Sequence, residues 1–186
     1  MIRAFAGIAL PDSVVRSLTA AQAGLPTGRP VPPENLHLTV AFLGEHPEPV
    51  IEDVHLALDG IRAPGFALAL SGTGLFGGQR PRVLYARVQP EPALDRLREK
   101  VLQAARGAGL RLPRERYSPH VTLARFNSRL NGEEAQETRD FAARRMAFTA
   151  GPFEVGEFLL YRSTLGRNGP VYQELAAYPL GRENGS

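Results

Sequence analysis

Two short segments of this chain repeat one pairing of a histidine with a threonine: His37-Leu38-Thr39-Val40 and His120-Val121-Thr122-Leu123, in a sequence with four histidines. Each lies in an apolar run, residues 35–43 and 117–126, whose alternation reads as a strand. A strand sends residues i and i+2 to one face, so His37 shares a side with Thr39, and His120 with Thr122. Imidazole and hydroxyl are then roughly 6.5 to 7 Å apart at Cα, backed by apolar neighbours on the other face. With an ordinary pKa near 6.5, one of two facing imidazoles can be neutral while the other is protonated. Such a pair can take a proton from a nucleophile and give one to a leaving group, each step worth roughly 10² to 10⁴ in rate. Threonine hydroxyls are donors suited to non-bridging phosphoryl oxygens, so a phosphodiester held between the strands would use all four groups.

The elements around the motifs repeat as well. Residues 3–10 (RAFAGIAL), Pro11 and a helical pattern over 12–22 resemble residues 82–89 (RVLYARVQ), Pro90 and a helical pattern over 91–106. Proline suits both junctions, because it cannot donate to a ladder yet tolerates the first turn of a helix. After each His-x-Thr strand come a second helical stretch, 48–58 or 133–144, and an extended apolar segment, 66–75 or 153–160. A last strand, 171–180, follows the turn signal Gly166-Arg167-Asn168-Gly169-Pro170. The expected fold is α+β: a bilobal single domain over 1–186, with an internal repeat of approximately 1–78 and 79–180. Its two pseudo-two-fold-related β-α-β-α-β lobes, with mainly antiparallel sheets, would flank a central cleft in which His37 faces His120.

Composition removes whole classes of chemistry. Without cysteine there is no disulfide scaffold, thiolate zinc site or cysteine nucleophile. The only lysine, Lys100, lies in a charged helical segment, which disfavours a covalent lysine intermediate. No apolar run approaches the ~18 to 20 residues that span a bilayer, and residues 5–10 are too short for a secretory signal, so no membrane partner and a cytoplasmic location are expected. A net charge of +3 is compatible with a polyanionic ligand.

The segments NLHLTVAFLGE (35–45) and YSPHVTLARF (117–126), with the start MIRAFAGIALP, resemble the two-histidine phosphoesterase superfamily. Within it they are most similar to the RNA 2′,3′-cyclic phosphodiesterase branch, historically called 2′-5′ RNA ligase. The late Gly169-Pro170-x-Tyr172 resembles that family's C-terminal hairpin. The resemblance implies metal-independent opening of an RNA 2′,3′-cyclic phosphate to a 2′-phosphomonoester, with reverse 2′-5′ ligation, and no cofactor. It implies His37 as proton donor to the departing 3′-oxygen, His120 as proton acceptor, and Thr39 and Thr122 as holders of phosphoryl oxygens. The near symmetry of the motifs does not by itself order the two histidines. The expected partner is an RNA with a 2′,3′-cyclic phosphate end or a related nucleotide, acted on by a monomer. A phosphodiesterase for a small cyclic nucleotide, and a non-catalytic RNA-end binding module, are the alternatives.

Arg125 matches an arginine that often follows the second motif in this branch, and Phe42 could stack on a base. Strict alternation puts both on the side opposite the histidines, so either reaches the cleft only where its strand bulges, twists or ends. Of the other histidines, His46 sits in a turn and His55 on a helix, and both read as solvated or locally bonded. No HExxH or clustered Asp/His pattern marks a metal site. Gly72, Gly74, Gly77 and Gly78 around Phe76 read as a hairpin or loop and not as a phosphate loop, since no Lys-Ser/Thr follows. Arg80, Arg82, Arg114 and Arg116 are candidates for a positive rim.

Overall fold

The computed structural model describes residues 1–114, 116–126, 130–167 and 169–181; Asn168 of the expected turn lies outside them. Among the described residues nine strands form one antiparallel sheet: β1 Ile2–Ala9, β2 Arg29–Pro30, β3 His37–His46, β4 Phe66–Phe76, β5 Val83–Val88, β6 His120–Arg125, β7 Thr149–Val155, β8 Glu157–Gly166 and β9 Gly169–Pro179. Four α-helices accompany them: α1 Asp12–Gln22, α2 Glu48–Asp59, α3 Pro92–Gly107 and α4 Gly132–Ala143. A 3-10 turn, Pro33–Asn35, leads into β3. Pro11 is the N-cap of α1, as expected; at the second junction Pro90 lies just before the Glu91 cap, and Pro92 is the proline that stands in the first turn of α3. The apolar segment expected over 153–160 is two strands, β7 and β8, broken at Gly156. None of the helices described is long and apolar enough to cross a membrane.

The strand order β7-β4-β5-β6-β3-β1-β8-β9 divides the sheet into two four-stranded lobes. They meet at the ladder pair Leu38–Val121, the middle residues of the two His-x-Thr motifs. Both are buried, at 1% and 0% exposure, so the motifs are pinned from the core side while their polar residues face away. The lobes are not the two halves of the sequence. Strand β4, from the first half, pairs with β5 and β7 of the second, whereas β8 runs beside β1. The helices cross over too: α1 packs on β6 and β7, and α3 on β3. Each lobe is thus built from both halves, with α2 and α3 covering one and α1 and α4 the other.

Candidate active site

The motif strands repeat one local distortion. Along β1, Gly7 pairs with Thr39 and Ala6 with Ala41, so Val40 is an extra residue on β3. Along β5, Tyr85 pairs with Thr122 and Leu84 with Ala124, so Leu123 is extra on β6. One inserted residue turns every later side chain to the opposite face. Val40 and Ala41 both point into the core, as do Leu123 and Ala124, and the next residues, Phe42 and Arg125, emerge on the histidine side. Phe42 is 63% exposed and lies with Arg125 along the cleft. The two motifs are therefore matched over six residues, except that one ends in an aromatic ring and the other in a guanidinium.

Both imidazoles are oriented by the same device. His37 Nδ1 is 2.7 Å from the Asn35 carbonyl, and His120 Nδ1 is 2.7 Å from the Ser118 carbonyl. A carbonyl only accepts, so each Nδ1 carries the hydrogen and donates it, leaving Nε2 as the titrating atom. His37 Nε2 lies 3.0 Å from Thr39 Oγ1, whose hydroxyl donates to it while the ring is neutral. Burial holds both histidines below the ordinary value of 6.5; the backbone bonds at Nδ1 oppose this, and the nearby Arg125 charge pushes both further down.

Aromatic pairs from equivalent strands support the two rings. Phe5 of β1 stacks on Tyr161 of β8 at 5.0 Å and lies 4.9 Å from His37; Tyr85 of β5 stacks on Phe76 of β4 at 4.2 Å, with Phe76 4.9 Å from His120. Gly74 makes the second pair fit, since a Cβ there would come within 2.5 Å of the Tyr85 ring. Tyr172 adds an edge-on contact to His37 at 4.9 Å. Sequence reasoning did not find these supports. The two rings come from different register positions, since Phe5 pairs with Phe42 whereas Tyr85 pairs with Thr122, so no alignment of residues 3–10 with 82–89 brings them together.

Polar braces cross between the halves of the chain. The Gln22 amide, at the end of α1, donates to the carbonyls of Val31 and of the bulge residue Leu123, both at 2.8 Å. Tyr117 donates its hydroxyl to the Thr39 carbonyl at 3.0 Å. Asn35 ties the first motif to the C-terminal hairpin, donating to the Pro170 carbonyl at 2.7 Å.

The cleft has two compartments sharing His37, Thr122, Arg125, Pro170 and Tyr172. One, of about 400 Å³, holds His120, Thr39, Phe5 and Phe42. The other, of about 600 Å³, runs past His37 between residues 28–32 and the hairpin at Gly169–Pro170. All four motif residues, together with Arg125 and Phe42, thus line one cleft. Arg80, Arg82, Arg114 and Arg116 are exposed and line neither compartment. His46 bonds the Leu43 carbonyl three residues away, the local role expected of it, whereas His55 bonds the Tyr178 hydroxyl of β9, 123 residues away. The four glycines fall in β4 and in the turn between β4 and β5, the hairpin expected. Among the described residues, no three of His, Asp and Glu gather where they could hold a metal ion.

A protein of Thermus thermophilus named RNA 2′,3′-cyclic phosphodiesterase is 35% identical to this chain, over 99% of the chain and 93% of that protein. One of the same name from Geobacillus stearothermophilus is 34% identical over 86% of the chain, which spans half that relative's length. The crystal structure of Escherichia coli LigT complexed with 3′-AMP superimposes with a TM-score of 0.76 at 28% identity, covering 97% of this chain and 99% of that one. The family model of the 2′-5′ RNA ligase superfamily matches residues 10–167, a span that takes in both bulged His-x-Thr strands, and the chain belongs to that family.

Proposed function

We propose that this chain hydrolyses the 2′,3′-cyclic phosphodiester at an RNA end to a 2′-phosphomonoester, without a metal. The carrying observation is the matched presentation of two imidazoles, each fixed through Nδ1–H to a carbonyl two residues upstream and placed on either side of the Leu38–Val121 bridge. His120 Nε2 accepts a proton from water as its oxygen bonds to phosphorus. The P–O3′ bond breaks, and O3′ takes the proton from Nε2 of protonated His37. Afterwards His37 is neutral and His120 protonated, and exchange with solvent resets the pair. Thr39, Thr122 and Arg125 carry the charge on the non-bridging oxygens, where donors aimed at developing charge contribute most. Phe42 offers a stacking face at the His120 end. The names of the relatives support the substrate class. Reversal with roles exchanged would join a 5′-hydroxyl end in a 2′-5′ linkage. Both motifs of the cleft come from one chain, which supports a monomer as the acting species, and the cytoplasm is its proposed location.

The test incubates purified protein, in EDTA, with an RNA ending in a 2′,3′-cyclic phosphate and identifies the terminal phosphate. A 2′-phosphate is expected, with His37→Ala and His120→Ala each losing at least about 10² in rate. Activity abolished by EDTA, or surviving both substitutions, overturns the mechanism, and a 3′-phosphate product means the departing oxygen is misassigned.

A further inference from the structure

Strand β2 is two residues long and pairs with the end of β6, setting Arg29 directly opposite Arg125. Like charges at directly opposed positions of an antiparallel ladder repel and destabilise the pair. Among the described residues lining either compartment there is no Asp or Glu to offset this. Both arginines are exposed and both line the compartment of about 600 Å³. Gln22 fixes this geometry from behind, holding the Val31 carbonyl next to β2 and the Leu123 carbonyl within β6. A pair of guanidiniums held in register along a cavity whose described lining carries no carboxylate is a site for an anion.

The position of the compartment says which anion. It borders His37 and Thr122 and does not include His120. Under the proposed function, on which this inference rests, His37 protonates the 3′-oxygen, so the terminal ribose and the chain upstream of it lie on the His37 side. Water attacks from the His120 side.

We infer that Arg29 and Arg125 form a two-phosphate clamp: Arg125 serves the reacting cyclic phosphate, and Arg29 the 3′-5′ phosphodiester immediately upstream. Opposed residues in such a ladder have Cα atoms about 4.5 to 5.5 Å apart, and two long side chains from there can take consecutive phosphates of one strand. The substrate is accordingly an oligonucleotide end of at least two nucleotides, in preference to a nucleoside 2′,3′-cyclic monophosphate. Pro30 and Pro32 stiffen the wall that carries Arg29.

The experiment compares kcat/KM for a dinucleotide and a mononucleotide, each ending in a 2′,3′-cyclic phosphate, in the wild type and Arg29→Gln. The wild type should favour the dinucleotide by at least about tenfold, and the ratio should fall toward one in the variant. A neutral methylphosphonate at the upstream linkage should reproduce that fall in the wild type and add nothing in the variant. Binding of a dinucleotide 2′-phosphate, measured against salt, should lose about 0.7 from its log–log slope in Arg29→Gln, as one single-strand phosphate contact is removed. Folding is not at risk, because the substitution removes a like-charge repulsion between exposed groups. Equal use of both substrates by the wild type, or an unchanged ratio in the variant, overturns the clamp while leaving the proposed reaction intact. Failure of both substrates to turn over, with the slope still reduced, overturns the reaction and leaves the clamp.

Discussion

Burial and Arg125 act on the two imidazoles in the same direction, holding both below their ordinary pKa. The competent free enzyme needs His37 protonated and His120 neutral, and that form peaks midway between the two macroscopic pKa values of the pair. The kcat/KM optimum is therefore expected on the acid side of 6.5, falling as pH rises through the upper value. Replacing Arg125 by methionine removes a positive charge that disfavours both imidazolium forms, so both values rise and the optimum moves to higher pH. A pH series of kcat/KM on the wild type and Arg125→Met checks this independently of the overall rate, which also falls with the lost phosphate contact. A fixed optimum, or one displaced downward, would separate Arg125 from the electrostatics of the pair. The substrate anion works the other way, raising both values on binding and so readying His37 to act as the acid.

At the level of elements, the decisive features are the bulges at Val40 and Leu123, which put Phe42 and Arg125 in the cleft. Gln22 secures the second bulge, so Gln22→Leu should leave the half-buried Val31 carbonyl without that donor and deprive the buried Leu123 carbonyl of one of its two. The expected cost is about 1 to 3 kcal/mol in urea unfolding. A released bulge also frees Arg125, so the pH optimum of Gln22→Leu should shift in the same direction as that of Arg125→Met. A purely structural role would lower stability and leave the optimum in place. The His-x-Thr pairs, the four helices and most strands were legible in the sequence, because each rests on local periodicity and proline placement. The bulges were not, since an inserted valine or leucine looks like any other strand residue until it is counted against the neighbouring strand. What the sequence did hold was the identical spacing from His37 to Phe42 and from His120 to Arg125. The cross-half braces from Gln22 to Leu123, Tyr117 to Thr39 and Asn35 to Pro170 span 101, 78 and 135 residues and leave no local signature.

Across the whole molecule, the exchange of strands and helices between halves determines how the cleft is held. Residues 1–78 contain β4 but neither of its partners, β5 and β7, and retain only β1 paired with β3 as a substantial ladder. A two-stranded pairing is marginal in water, and α1, from the same half, would lose the β6–β7 surface it covers. Neither repeat is then a folding unit, although the lobes share only the Leu38–Val121 bridge in the ladder. The intact chain should unfold as one cooperative body, which keeps the His37 and His120 faces in fixed relation. The chain has no tryptophan, so a single introduced one reports on one lobe. Phe158 of β8 lies in the lobe of the first motif and Phe141 of α4 in that of the second, and both are buried, at 0% and 1% exposure. Overpacking from either Phe→Trp change costs about 1 to 3 kcal/mol, so the comparison is made within each variant and not between them. In both, the fluorescence midpoint in urea should coincide with that of far-UV circular dichroism. A fluorescence transition separated from the dichroism transition in either variant would mean that the exchanged elements do not couple the lobes, and that the two histidines sit on units free to unfold apart.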